Sequence, residues 1–357
     1  MNCQEERPTS LPPILDRVLQ GFWLGTWIGH SIPLCLVLLA MVGCTSIEVA
    51  VGLKTRLDQV PVTGLAISLA PGPTLAPGGS ARLVVTVSTA DGKKLVTEGP
   101  GHGTVLYDSF VFTATVAQID KQGVVSLSAD PRLSDGQTPK IHITVNGHPD
   151  VVADIDIPVH YNVAFTADYS GHPGNSGFNG LDGTAGVSGS MGSMDPNNPS
   201  AGGNGSAGSD GGNGQDGEPG EDGKAVRVWV TRKPEPYLLL QVRVASGERE
   251  QYFLVDPAGG TLAVQANGGS GGAGGRGGAG GVGGAGGMGT PSGNSGSNGQ
   301  DGRSGSNGPA GAAGTIVVLV DPQAQPFLDR LRLSNTDGNG KPGPAPQIQV
   351  VPVASLW

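Results

Sequence analysis

Beyond residue 44 the chain has no cysteine; Cys3, Cys35 and Cys44 are its complement, so no disulfide framework can brace whatever folds downstream. Basic clusters are also missing. Lysine and arginine total 21 against 30 aspartate and glutamate, a net charge of −9, which argues against a nucleic-acid partner. Aromatics make up 4% and charged residues 14% of the 357 residues, both low. No nucleophile elbow, phosphate-binding Walker loop or zinc-ligand spacing occurs, and Asp and Glu are scattered without a convergent pair. His102, His142, His148 and His160 match no metal-ligand spacing and read as surface or turn histidines. The sequence therefore predicts no enzyme activity, no cofactor and no metal site.

What the chain has in abundance is glycine, 63 residues of it, and much of it is counted out. Four runs of eight glycines fall at every third position, each spanning 22 residues: 171–192, 202–223, 268–289 and 293–314. We call them rods 1 to 4. Period three is the period of the polyproline II helix, which has three residues per turn and no internal hydrogen bonds. Glycine at every third place gives each rod one bare edge. There another backbone can approach and supply the partners that packed N–H and C=O groups require. The 193–201 and 290–292 linkers are rich in Pro, Asn, Asp and Ser, which form turns. Two hairpins of rods are expected, docked as a four-rod bundle, each rod roughly 70 Å long at about 3.1 Å per residue.

Rod 3 differs because Gly269, Gly272, Gly275, Gly278, Gly281, Gly284 and Gly287 add a second bare edge. It is expected to be the most buried rod. Rod 2 carries Asp210, Asp216, Glu218, Glu221 and Asp222, whose edges are expected to face water. Such a bundle buries little apolar surface, while ordering costs about 1–2 kcal/mol per residue. It must be held at its base by a better-packed unit.

The Gly-X-Y triplets resemble those of bacterial collagen-like proteins. That resemblance implies a trimeric stalk, the alternative to a bundle within one chain. Few prolines (Pro173, Pro219, Pro309), short blocks and hairpin linkage favour the bundle. A calcium-binding nonapeptide repeat fails because Glu218 occupies an apolar place and nothing recurs at nine. The triplets also resemble those of the glycine-rich snow-flea antifreeze protein, but the mixed outer edges disfavour an ice-binding face.

Residues 22–43 form an apolar run ending in small residues, the pattern of a secretory signal. A membrane-spanning anchor is the alternative, since 22 residues suffice to span. Met41-Val42-Gly43-Cys44 resembles the lipobox of bacterial lipoproteins. The resemblance implies that Cys44 is lipidated on its thiol, with acyl chains such as palmitate, and becomes the mature N-terminus. Because Thr45 is not aspartate, it further implies sorting to the outer membrane.

From Pro61 the pattern switches to period two, the strand signal. Leu83/Val85/Val87, Phe110/Phe112, Ile141/Ile143/Val145 and Ala153/Ile155/Ile157/Val159 alternate, with a hairpin signal at Asp91-Gly92. Several short strands with intervening turns predict a β-sandwich. Pro77-Gly78-Gly79-Ser80 leading into a Val/Thr strand resembles bacterial Ig-like surface modules. A second strand series runs through Val226/Val228/Val230, Leu240/Val242/Val244, 252–255, Leu262/Val264, 316–320, Leu331/Leu333 and Ile348/Val350/Val353. Arg227, Arg243 and Arg249 read as solvated charges on strand faces.

The expected organisation is mainly β: signal peptide 1–43, linker 44–60, Ig-like sandwich 61–168, first rod hairpin 169–224, second β domain in two parts (225–266 and 315–357), and second rod hairpin 267–314. The expected function is that of a cell-surface lipoprotein with a structural or adhesive role, anchored to the membrane through Cys44. A carbohydrate- or surface-ligand-binding module is the alternative.

Overall fold

The computed structural model describes residue 49, residues 52–233 and residues 238–357. Cys44 and the apolar 22–43 segment lie outside the described residues. The chain is mainly β, and the strands among the described residues lie in four sheets.

The first unit holds β1 (Val62–Ala70), β2 (Ser80–Thr89), β3 (Lys94–Val96), β4 (Phe110–Thr115), β5 (Gln118–Ile119), β6 (Val124–Ser126), β7 (Lys140–Val145) and β8 (His148–Asp156). One sheet runs β1-β2-β6-β5 with β3 also on β2; the other runs β4-β7-β8. Alternation decides which side chains go inward. Leu83, Val85 and Val87 of β2 and Ile141, Ile143 and Val145 of β7 are essentially inaccessible and share one core with Phe110. This is two-layer packing of half-buried sheets.

β9 (Ala164–Asp168) has the same alternation, and the strand pattern alone places it with the first unit. It pairs instead with the second unit, in parallel with β13 (Thr261–Gln265). Phe165 and Ala167 accordingly pack in the second core. That unit contains β10 (Val226–Arg232), β11 (Leu240–Ser246), β12 (Arg249–Val255), β13, β14 (Ile316–Val320), β15 (Leu331–Ser334) and β16 (Gln347–Val350). Its larger sheet runs β12-β11-β10-β14-β16 and its smaller one β15-β13-β9. Val228, Val230, Val242, Val244, Leu262, Val264 and Val318 are inaccessible between them.

The rods grow out of these sheets. β9 and β13 run straight on into rods 1 and 3. β10 and β14 are the direct continuations of rods 2 and 4. Hydrogen bonds carry across both junctions. The Tyr169 amide donates to Gln265 and the Gly171 amide to Asn267; the Gly223 amide donates to Ala312 and the Val226 amide to Thr315. Each parallel pair of rods thus inherits its register from a parallel pair of strands.

Candidate functional site: the glycine rods and their base

The rods have no strand assignment, yet their backbones bond to one another at every third residue. All eight register glycines of rod 1 donate to rod 3, from Gly171 to Asn267 through Gly192 to Met288, at 2.6–2.8 Å. All eight of rod 2 donate to rod 4 in the same parallel sense, from Gly202 to Pro291 through Gly223 to Ala312. Antiparallel bonds tie rod 2 to rod 1 (Ser206 amide to Val187), rod 3 to rod 2 (Gly281 to Ser209) and rod 4 to rod 3 (Gly299 to Gly281). Rods 2 and 3 each touch the other three, so they form the short diagonal of a four-membered cross-section.

The spacing at the contacts explains the glycines. A Cβ at Gly180 would lie 1.9 Å from the Gly212 oxygen, one at Gly211 2.2 Å from the Gly278 oxygen, and one at Gly302 1.9 Å from the Gly212 oxygen. Rod 3 needs two bare edges because its register glycines face rod 4 and its additional ones face rod 1. A Cβ at Gly280 would meet the Gly299 oxygen, and one at Gly278 the Leu181 oxygen at 2.0 Å. The additional glycines, from Gly269 to Gly287, are all buried, and no other rod has such a buried series.

Side chains on the outer edges cap amides that the rods leave free. Asn204, Asp210, Asn213, Asp216 and Asp222 of rod 2 accept from the amides of Asn294, Gln300, Arg303, Ser306 and Ala312 of rod 4, at 2.6–2.8 Å. Rod 4 repeats the device on rod 3: Asn298 and Asp301 accept from Gly283 and Gly280. Asn179 and Asp182 of rod 1 accept from Arg276 and Ala279. At the step where rod 4 has Pro309, which has no N–H, rod 2 has Pro219, which has no side-chain acceptor. The acidic residues of rod 2 do face water, as expected, but three of its aspartates also bind backbone. Two hydrogen bonds donated by Ser306, one from its amide and one from its hydroxyl, hold the Asp216 carboxyl below its usual range.

The bundle displays an apolar row on rod 1. Phe178, Leu181 and Val187 belong to one every-third series and are 77%, 83% and 75% exposed. Near the far end Met191, Met194 and Met288 are exposed as well.

Tyr169 locks the base. It is 1% exposed, and its hydroxyl donates to the Val244 carbonyl at 3.0 Å. Its amide donates to Gln265, and its carbonyl accepts from the Lys224 amide. Burial pushes its phenol up, so it stays protonated. Arg249 lies over its ring at 4.7 Å. Arg243 pairs with Glu250 and stacks on Trp229 at 4.5 Å. These two arginines are thus engaged with aromatic rings rather than merely solvated.

A clasp joins the two β units. Asp135 of the first accepts from Lys233 and from the Trp357 indole N–H at 2.9 Å, both of the second. Arg132 sits 3.6 Å from the Tyr252 ring centroid, and Tyr252 meets Trp357 edge-on at 5.8 Å. Sequence reading missed this cluster, whose members are far apart along the chain. Of the histidines, His142 bonds Asp154 at 2.9 Å. Among the described residues no group of three His, Cys, Asp or Glu is arranged to hold a metal. Nor, among them, is any helix long and apolar enough to cross a membrane.

No family model matches the chain. No curated protein matches it. Among solved structures, domains 4 and 5 of the S-layer protein SbsC are similar over 55% of this chain and 98% of theirs, at 13% identity and a TM-score of 0.19. A likeness at that score supports no inference about fold or function.

Proposed function

We propose that this chain is a lipid-anchored protein of the bacterial cell surface, in the outer membrane, with a structural or adhesive role. An Ig-like sandwich and a second β domain present a four-rod polyproline II bundle. The observation that carries this reading is the backbone pairing of all four rods at every third residue within one chain. It supports an intramolecular bundle over a collagen-like trimer, whose strands would pair between chains in parallel register. Rods continuous with two sheets, and closed by side-chain caps, make a stiff arm. The exposed row Phe178, Leu181 and Val187 gives that arm a surface suited to contact.

The anchor in this reading is Cys44, in the lipobox-like Met41-Val42-Gly43-Cys44. The arm works without catalysis, cofactor or nucleic acid. Mass spectrometry of the mature N-terminus, with and without globomycin, tests the anchor. The expected result is a mature chain beginning at an acylated Cys44, replaced by uncleaved precursor under the drug. An unlipidated N-terminus at another residue would remove the membrane-surface half of the reading.

A further inference from the structure

A large cavity lined by described residues lies between the two β units, beside the clasp. It measures about 820 Å³ and opens to solvent. That is within the range of about 300–1,000 Å³ typical of ligand pockets, which occur preferentially at domain interfaces. From the first unit and the following segment come Asp135, Gln137, Thr138, His160, Tyr161 and Asn162; from the second come Lys233, Leu238, Leu239 and Asp256.

The chemistry of this lining is selective. Among the described lining residues the one lysine is already engaged by Asp135, so no free lysine or arginine is on offer there to an anion. Amide, hydroxyl and carboxylate groups stand beside an aromatic ring, Tyr161, and the apolar surfaces of Val159, Leu238 and Leu239. Asp256 is fixed by its own loop: one carboxylate oxygen accepts from the Ala258 amide at 2.8 Å, and its backbone amide donates to the Tyr161 carbonyl at 3.1 Å.

We infer that this interdomain cleft binds a short neutral saccharide. Such a ligand presents hydroxyls to Asp256, Asn162 and Gln137 and an apolar C–H face to Tyr161 and Leu239, and it needs no cation. Burial pushes the Tyr161 phenol up, so it remains a neutral donor at physiological pH. The inference does not depend on the anchor at Cys44 or on the bundle, and it makes the base of the arm, not its shaft, the recognition element.

The test uses the purified full chain on an array of neutral and acidic oligosaccharides of two to four units, followed by calorimetric titration of the best neutral binder. Asn162→Ala and Asp256→Asn are compared with Ala207→Ser on an exposed edge of rod 2, and thermal melts verify that each variant is folded. The expected result is retention of a neutral glycan, with affinity lowered at least tenfold in each folded cleft variant and unchanged in Ala207→Ser. Should Asp256→Asn fail to fold, Asn162→Ala with Gln137→Ala decides. Retention of no neutral glycan, retention of acidic glycans alone, or affinity indifferent to the cleft substitutions would each overturn the inference while leaving the surface-arm reading intact.

Discussion

Asp216 accepts two hydrogen bonds from Ser306, a residue 90 positions away: one from its amide at 2.7 Å and one from its hydroxyl at 2.8 Å. Both favour the charged carboxylate, and they hold its pKa below the ordinary value. A depressed carboxylate pKa stabilises the fold at pH above the unfolded value, about 3.9, and that contribution is lost as pH falls through the folded value. Asp216→Asn retains an acceptor, as Asn213 does on the preceding step. It is therefore expected to melt near the wild-type temperature at neutral pH and to lose less stability on acidification. Asp216→Ala is expected to melt lower at neutral pH. Thermal melts of the three chains between about pH 7 and pH 2 check this.

Adjacent glycines in rod 2 are predicted to behave differently. A Cβ at Gly211 would lie 2.2 Å from a backbone oxygen of rod 3. At Gly212 the nearest atom is the Leu181 nitrogen at 3.1 Å, on an exposed edge. Gly211→Ala is expected to cost about 3 kcal/mol or more by forcing two backbones apart, whereas Gly212→Ala is expected to cost under about 1 kcal/mol. Denaturant titration of the two variants separates them.

Tyr169 is where rods 1 and 2 meet the core of the second β unit. Tyr169→Phe keeps the packing and leaves the Val244 carbonyl without this donor, a loss of about 1 kcal/mol. Tyr169→Ala opens a cavity in a fully buried site and is expected to cost about 3–5 kcal/mol. Because the same residue leads into rod 1 and its backbone bonds Gln265 of β13 and Lys224 at the end of rod 2, the Ala variant should loosen the bundle and the second β unit together. Circular dichroism and tryptophan fluorescence, followed through one denaturant series, should then show a shared, earlier transition.

Much of the architecture is legible because two periods suffice to write it. The period-three glycines mark the rods, and the second glycine series marks rod 3 as the most enclosed. The period-two runs at 83–87, 141–145 and 226–230 point the same side chains inward that the structure buries. Partnership is another matter. Phe165 and Ala167 alternate identically whichever sheet β9 joins, so only the pairing with β13 reveals its unit. Ile348 and Val350 have a strand pattern but lie on an edge strand, where they stay 52% and 46% exposed. The capping role of Asp210 and Asp216 is hidden because an outer-edge carboxylate looks the same whether it meets water or an amide. Asp135, Tyr161, Lys233 and Trp357 carry no local signal for a shared site, because the geometry that joins them exists only once both units have folded.

Hydrogen exchange of individual backbone amides tests the central claim, that the rods pair backbone to backbone within one molecule. In rod 1 the Gly183 and Gly186 amides donate to rod 3, whereas those of Ala185 and Ser188 bond to no described residue. The account predicts protection of about a hundredfold or more at Gly183, Gly186 and their counterparts Gly211 and Gly281, alternating with fast exchange at Ala185 and Ser188. Uniformly fast exchange along 171–192, at the rate of an unfolded chain, would contradict it.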